Sequence, residues 1–167
     1  MPPSLHPDFS GTPGTFSIIV APSEFILEAL STLLNRSRNR ILYICGNYPE
    51  ILPKIKEEHK KLQARRALTA YQILSILDDT HESLILFEHD RTLYDDNTDL
   101  ISTIGEMFSY KAGEGKTVIL FATRFDRWLF KLDPYGNRVV YYLESHHPVQ
   151  KSPTPPNQNQ MTLDTIW

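Results

Sequence analysis

Four short, nearly continuous apolar runs constrain this chain more than any other feature: Phe16-Ser-Ile-Ile-Val20, Arg40-Ile-Leu-Tyr-Ile-Cys45, Ser83-Leu-Ile-Leu-Phe-Glu88 and Thr117-Val-Ile-Leu-Phe-Ala122. A strand with one wet face alternates apolar and polar residues, so runs that fail to alternate must be covered on both faces. Such strands are as a rule parallel, because the crossovers that join them lay helices over the sheet. The intervening segments have the matching helical spacing. Ser23–Asn35 puts Phe25, Ile26, Leu30, Leu33 and Leu34 on one stripe, and Ala67–Leu77 and Asp99–Tyr110 predict two more helices. Ser23 reads as the N-cap of the first helix and Asp99 as an acid at the first turn of the last. Downstream, Trp128–Leu143 sets Asp133-Pro-Tyr-Gly-Asn137 between two β-prone runs, which predicts an antiparallel hairpin. The sum is an α/β sandwich of three layers, a mostly parallel sheet finished by a C-terminal β-hairpin.

Composition divides the chain. Residues 1–14 carry prolines and glycines before any periodic pattern begins and read as a flexible lead-in. Residues 15–146 hold the folded domain. From His147 to Asn159, Pro148, Pro153, Pro155 and Pro156 stand among polar residues that bury little apolar surface, which predicts a flexible linker. A formal net charge of -3 excludes a strong global attraction to nucleic acid, so contact with DNA would need a local basic patch or a partner. The single cysteine, Cys45, lies in an apolar run and reads as a buried, inert thiol; one cysteine makes no disulfide framework and no cysteine metal site. Met1-Pro-Pro-Ser-Leu-His-Pro7 lacks the basic and apolar regions of a secretion signal, and no apolar run reaches membrane-spanning length. The expectation is an intracellular protein, cytoplasmic and nucleoid-associated if archaeal, nuclear if eukaryotic; the small domain favours an archaeal source.

The order of these elements resembles the RecA-like ATPase domain of the RecA/RadA recombinases and their paralogues, a P-loop NTPase-like fold. The residues that carry the resemblance are Phe16–Val20 as first strand, Ser83–Glu88 as a strand ending in acids like a Walker B segment, Thr117–Thr123 as the next strand, and the closing hairpin. The family's phosphate loop should follow the first strand as G-x-x-x-x-G-K-[ST], with glycines that let backbone N–H groups wrap the phosphates and a lysine that neutralises them. Here the residues are Ala21-Pro-Ser-Glu-Phe-Ile26, without glycine or lysine, and Glu24 would repel phosphate. Gly113-Glu-Gly-Lys-Thr117 imitates part of the motif but leads into a strand where the motif opens a helix, and reads as a turn with Lys116 solvated. The resemblance implies a RecA-like domain that has lost ATP hydrolysis and has no cofactor or catalytic residues of its own. Its expected role is that of an adaptor for a RecA/RadA-family recombinase or another repair protein.

Gln160-Met-Thr-Leu-Asp-Thr-Ile-Trp167 resembles the PCNA-interacting peptide, or PIP box: a glutamine, two free positions, an aliphatic residue, two free positions and two residues that are usually aromatic. Leu163, Ile166 and Trp167 stand at i, i+3 and i+4, so one helical or 3₁₀ turn gathers them into an apolar plug, while Gln160 is placed to hydrogen-bond in a small polar pocket. Ile166 replaces the first aromatic ring, which weakens the plug. The linker of 13 residues ahead of it would span about 20 Å on average and let the domain move beside a bound clamp. The partner this resemblance implies is the PCNA sliding clamp, and the pathway DNA replication, repair or recombination.

Two further groups carry candidate chemistry. Glu88, Asp90, Asp95 and Asp96 concentrate carboxylates after the third run, at the edge where open α/β sheets place ligands; with His89 they make the alternative reading, a small metal-dependent nuclease or phosphatase. Lys54, Lys56, Lys60, Lys61, Arg65 and Arg66 form the one basic-rich stretch, which reads as a solvated helical face; Lys60, Lys61, Arg65 and Arg66, with Arg124 and Arg127, are the candidate contacts to DNA or a protein partner. His146 and His147 lack the spaced partners a metal site needs.

Overall fold

In the computed structural model, residues 11–55, 60–142 and 148–150 are described. The elements run β1 (Phe16–Val20), α1 (Ser23–Arg36), β2 (Ile41–Cys45), a 3₁₀ turn (Leu52–Lys54), β3 (Leu62–Arg66), α2 (Ala70–Asp78), β4 (Leu84–Glu88), a second 3₁₀ turn (Arg91–Tyr94), α3 (Leu100–Gly113), β5 (Thr117–Ala122), α4 (Arg127–Leu132), a third 3₁₀ turn (Asp133–Tyr135), β6 (Arg138–Tyr142) and β7 (Pro148–Gln150). The seven strands form one sheet in the order β3-β2-β4-β5-β1-β6-β7. Every pairing from β3 to β6 is parallel, and only β7 runs antiparallel, against β6.

The four apolar runs are β1, β2, β4 and β5, and their side chains divide between the faces as the pleat requires. Phe16, Ile18, Leu42, Ile44, Ile85, Phe87, Val118 and Leu120 point to the face covered by α2, α3 and α4. Ile19, Ile41, Tyr43, Leu86, Ile119 and Phe121 point to the other, where Ile26, Leu30 and Leu34 of α1 cover them. Phe108 of α3 wedges between Phe16 and Phe87 at ring-centroid distances of 5.1 and 5.3 Å. No described helix is long and apolar enough to cross a membrane.

The structure corrects several expectations. Pro22, not Ser23, occupies the N-cap of α1 and makes no side-chain cap. Asp99 is the N-cap of α3 but its side chain caps nothing. Trp128–Leu143 is not a hairpin: Arg127–Leu132 is helical because Asp126 caps the N–H groups of Trp128 and Leu129, and Asp133-Pro-Tyr continues as a 3₁₀ turn. Val139 and Val140 then enter β6, which lies parallel to β1, and the antiparallel closure is made by β7, within the span read as linker. The basic stretch is not a helical face either, since Leu62–Arg66 pairs with β2 as the edge strand β3. At the imitation phosphate loop, Gly115 adopts φ +91° in the turn after α3, and Lys116 is half-buried, its ammonium donating to the Glu82 carbonyl at 2.9 Å.

Candidate functional site

The carboxyl ends of β1, β2, β4 and β5 converge on the edge of the sheet where the chemistry-bearing residues gather. Glu88, the last residue of β4, is buried. One carboxylate oxygen accepts the N–H groups of Glu50 (2.6 Å) and Ile51 (2.8 Å); the other accepts the Tyr43 hydroxyl (2.5 Å) and the Leu52 N–H (3.2 Å). The carboxylate thus caps the 3₁₀ turn that follows β2. Burial, then the neighbouring Glu88 charge and hydrogen bond, push the Tyr43 hydroxyl far above its ordinary range.

Asp90 is engaged in the same way. Its Oδ2 accepts the Tyr48 N–H at 2.9 Å, and its Oδ1 accepts the N–H (2.9 Å) and hydroxyl (2.6 Å) of Thr92, capping the turn after β4. Gly46 leaves it room: a Cβ there would come within 2.6 Å of the Asp90 Cβ. Asp95 and Asp96 are exposed beyond that turn. The four carboxylates read as a metal cluster therefore do not converge, and among the described residues no three His, Cys, Asp or Glu side chains come together to hold a metal ion.

His89 turns away from them. Its Nε2 lies 2.7 Å from Asp126 Oδ2, while Asp126 Oδ1 accepts the N–H groups of Trp128 (3.0 Å) and Leu129 (2.9 Å). Burial alone would raise the Asp126 carboxyl; the hydrogen bond and charge of His89, with the Leu129 and Trp128 N–H groups, outweigh it and hold the group below its ordinary value. The His89 ring stacks on Tyr94 with centroids 5.9 Å apart, and Tyr94 meets Trp128 at 5.8 Å. The guanidinium of Arg127 and the ammonium of Lys131 lie 4.3 and 5.1 Å from the Trp128 ring. Sequence reading missed this His89–Asp126–Trp128 unit; the available signal was the Asp-x-Trp order of an N-cap followed by a helix.

At the end of β1 only Ala21 and Pro22 precede α1. The Ala21 N–H donates to the Ala122 carbonyl at 3.0 Å, proline has no N–H, and the N–H groups of Phe25 and Ile26 both donate to the Pro22 carbonyl. Burial and the Glu88 charge push the Cys45 thiol up, with Arg66 only partly opposing them, as suits an inert core thiol.

The other sequence candidates are dispersed. Lys60 and Lys61 stand at the amino end of β3, and Arg65 and Arg66 near its carboxyl end, where Arg65 lies 3.6 Å from Asp79. Arg124 and Arg127 are exposed just past β5. Gln160, Leu163, Ile166 and Trp167, like His146 and His147, lie outside the described residues.

No family model matches the chain. A protein of Archaeoglobus fulgidus described as uncharacterized is 32% identical over 127 residues, which are 76% of this chain and 64% of that protein, so the chain spans just under two thirds of this relative's length. Among solved structures, the crystal structure of the RadB recombinase superposes with a TM-score of 0.55 at 13% identity, over 78% of this chain and 75% of that one. The chain carries a RecA-like α/β fold.

Proposed function

We propose that this protein is a non-catalytic RecA-like adaptor in DNA recombination or repair, recruited to a PCNA-type sliding clamp through Gln160, Leu163, Ile166 and Trp167. The observation that carries the non-catalytic part is the junction of β1 and α1. A phosphate cradle needs several consecutive unpaired N–H groups in a glycine-rich loop. This junction offers two residues, one N–H already bonded and one absent, before α1 opens with Ser23 and the exposed Glu24. These residues do not fit a nucleoside triphosphate. Glu88, at the strand end that a Walker B acid would occupy, has its lone pairs directed at a phenol and three backbone N–H groups, so a metal ion would have to displace all of them.

The similarity to the RadB recombinase supports a place in recombination, with a RecA-family ATPase as the second partner. Support for the clamp comes from the peptide's own pattern, three apolar side chains spaced for one turn behind a glutamine. Ordering such a peptide costs binding free energy, so the expected Kd is roughly micromolar. Calorimetric titration of the full chain into the clamp, beside a chain truncated after Asn159, tests this. Heat that disappears on truncation supports recruitment; absence of heat with the full chain rejects it. Saturable binding of a fluorescent ATP analogue by the full chain would overturn the non-catalytic reading and leave the clamp result standing.

A further inference from the structure

The cations of this chain are unevenly placed. Helix α1 ends at Arg36, and only Ser37–Arg40 separate it from β2, so Arg36, Arg38 and Arg40 crowd the amino end of the sheet. Strand β3 begins beside them. Ile41 is in register with Leu62, its N–H donates to the Lys61 carbonyl at 2.8 Å, and the Lys61 ammonium donates to the Ser37 carbonyl at 2.6 Å. Arg40 and Lys61 each precede the first registered pair, so their backbones run on neighbouring strands about 5 Å apart. Lys60 comes one residue earlier, and all five side chains belong to exposed residues.

Among the described residues no carboxylate pairs with Arg36, Arg38, Arg40, Lys60 or Lys61. Of the acids that α2 and its following loop supply, Asp79 faces Arg65 at 3.6 Å, Glu82 accepts the Thr80 hydroxyl at 2.6 Å and the His81 N–H at 3.2 Å, and Asp78 is exposed. A chain of formal net charge -3 thus gathers five cations, three of them the planar, fork-shaped guanidinium that grips phosphate oxygens, on one short edge. The exposed large hydrophobics, Tyr48, Leu68, Tyr71, Tyr110 and Phe130, all lie on other segments. Surfaces that bind single strands stack bases on aromatic rings, whereas surfaces that read only the duplex backbone present cations alone.

We propose that this amino-terminal edge, Arg36, Arg38, Arg40, Lys60 and Lys61, binds the phosphate backbone of duplex DNA. The choice of DNA among polyanions rests on the reading of the protein as a DNA-repair adaptor. The clamp takes no part in the test, so failure here leaves recruitment unaffected. The site lies at the opposite end of the strands from Arg124, Arg127 and the Glu88–Asp90 turn, so a clamp-tethered domain would meet DNA with one edge and keep the other for a protein.

The experiment is fluorescence anisotropy of a labelled duplex of about 20 base pairs titrated with the full chain between about 50 and 200 mM salt. Sequence-independent binding is expected, with Kd roughly 10–100 µM at the higher salt and a log–log salt slope of about −4 to −5 for five phosphate contacts. Combined Arg36→Glu, Arg38→Glu and Arg40→Glu substitution should weaken binding at least about tenfold and flatten the slope by about 3. Lys60→Glu with Arg38→Glu serves as a second variant, and urea unfolding confirms that each variant is folded. The proposal is overturned by absence of binding by the parent chain, by undiminished binding of the folded variants, or by loss of binding on charge reversal at Arg124 and Arg127 alone. Tighter binding of the single strand, or equal competition by polyglutamate, would likewise overturn it.

Discussion

At the scale of single residues, Glu88, Asp90 and Asp126 are architectural acids. Glu88 ends a buried strand and satisfies the Tyr43 hydroxyl and the N–H groups of Glu50, Ile51 and Leu52, which would otherwise be unpaired in or near the core. Glu88→Ala should destabilise the domain by about 3 kcal/mol in urea unfolding, because four donors lose their acceptor at once, while Glu88→Gln, which keeps the shape, should cost about half as much. Asp126 makes a second prediction. Its folded-state carboxyl is held below the ordinary value, so its contribution is fully present above the unfolded pKa of about 3.9 and is lost as the pH falls through that value to the lower folded one. Unfolding free energy measured down the acid limb should therefore fall less steeply in Asp126→Asn than in the parent. A parallel pair of curves would show that the carboxyl titrates alike in both states.

Among the elements, α3 is pinned on both sides. Phe108 enters the sheet between Phe16 and Phe87, and Gly105 admits the Tyr135 ring so closely that a Cβ would lie 2.3 Å from it. Gly105→Ala gains about 1 kcal/mol of helix propensity but must push aside a half-buried ring in the turn joining α4 to β6. Overpacking of this kind costs about 1–3 kcal/mol, so a lowered thermal midpoint is expected, and a raised one would mean the ring moves freely. The elements read correctly from the sequence are those with redundant signals: four apolar runs and the amphipathic helices α1, α2 and α3. β3 was hidden because an edge strand lies partly in water and its residues, Leu62-Gln-Ala-Arg-Arg66, need no apolar run. The end of the domain misled for a related reason: Trp128, Leu129 and Leu132 suit a strand as well as a helix, and the deciding interaction is local, the Asp126 cap.

Taken whole, the molecule has two chemically distinct edges on one sheet, with α1 and the 3₁₀ turn after β2 on one face and α2, α3 and α4 on the other. Which of the apolar runs become buried strands, their parallel direction and the layered class were all legible in the sequence, because each follows from local composition and chain geometry. The reading of Gln160–Trp167 as a clamp peptide is likewise local, since its pattern is complete within eight residues, and it lies outside the described residues. Other features belong to the tertiary structure alone. Glu88 and Asp90 look like a metal cluster in the sequence, and it is the loop after β2, 38 and 42 residues away respectively, that arrives to donate N–H groups to them. Arg36, Arg38 and Arg40 stand well apart in sequence from Lys60 and Lys61, and only the pairing of β2 with β3 makes them one surface. Contacts between distant segments are set by which strands become neighbours, and that choice is made by burial of the whole sheet, which no local window of residues contains.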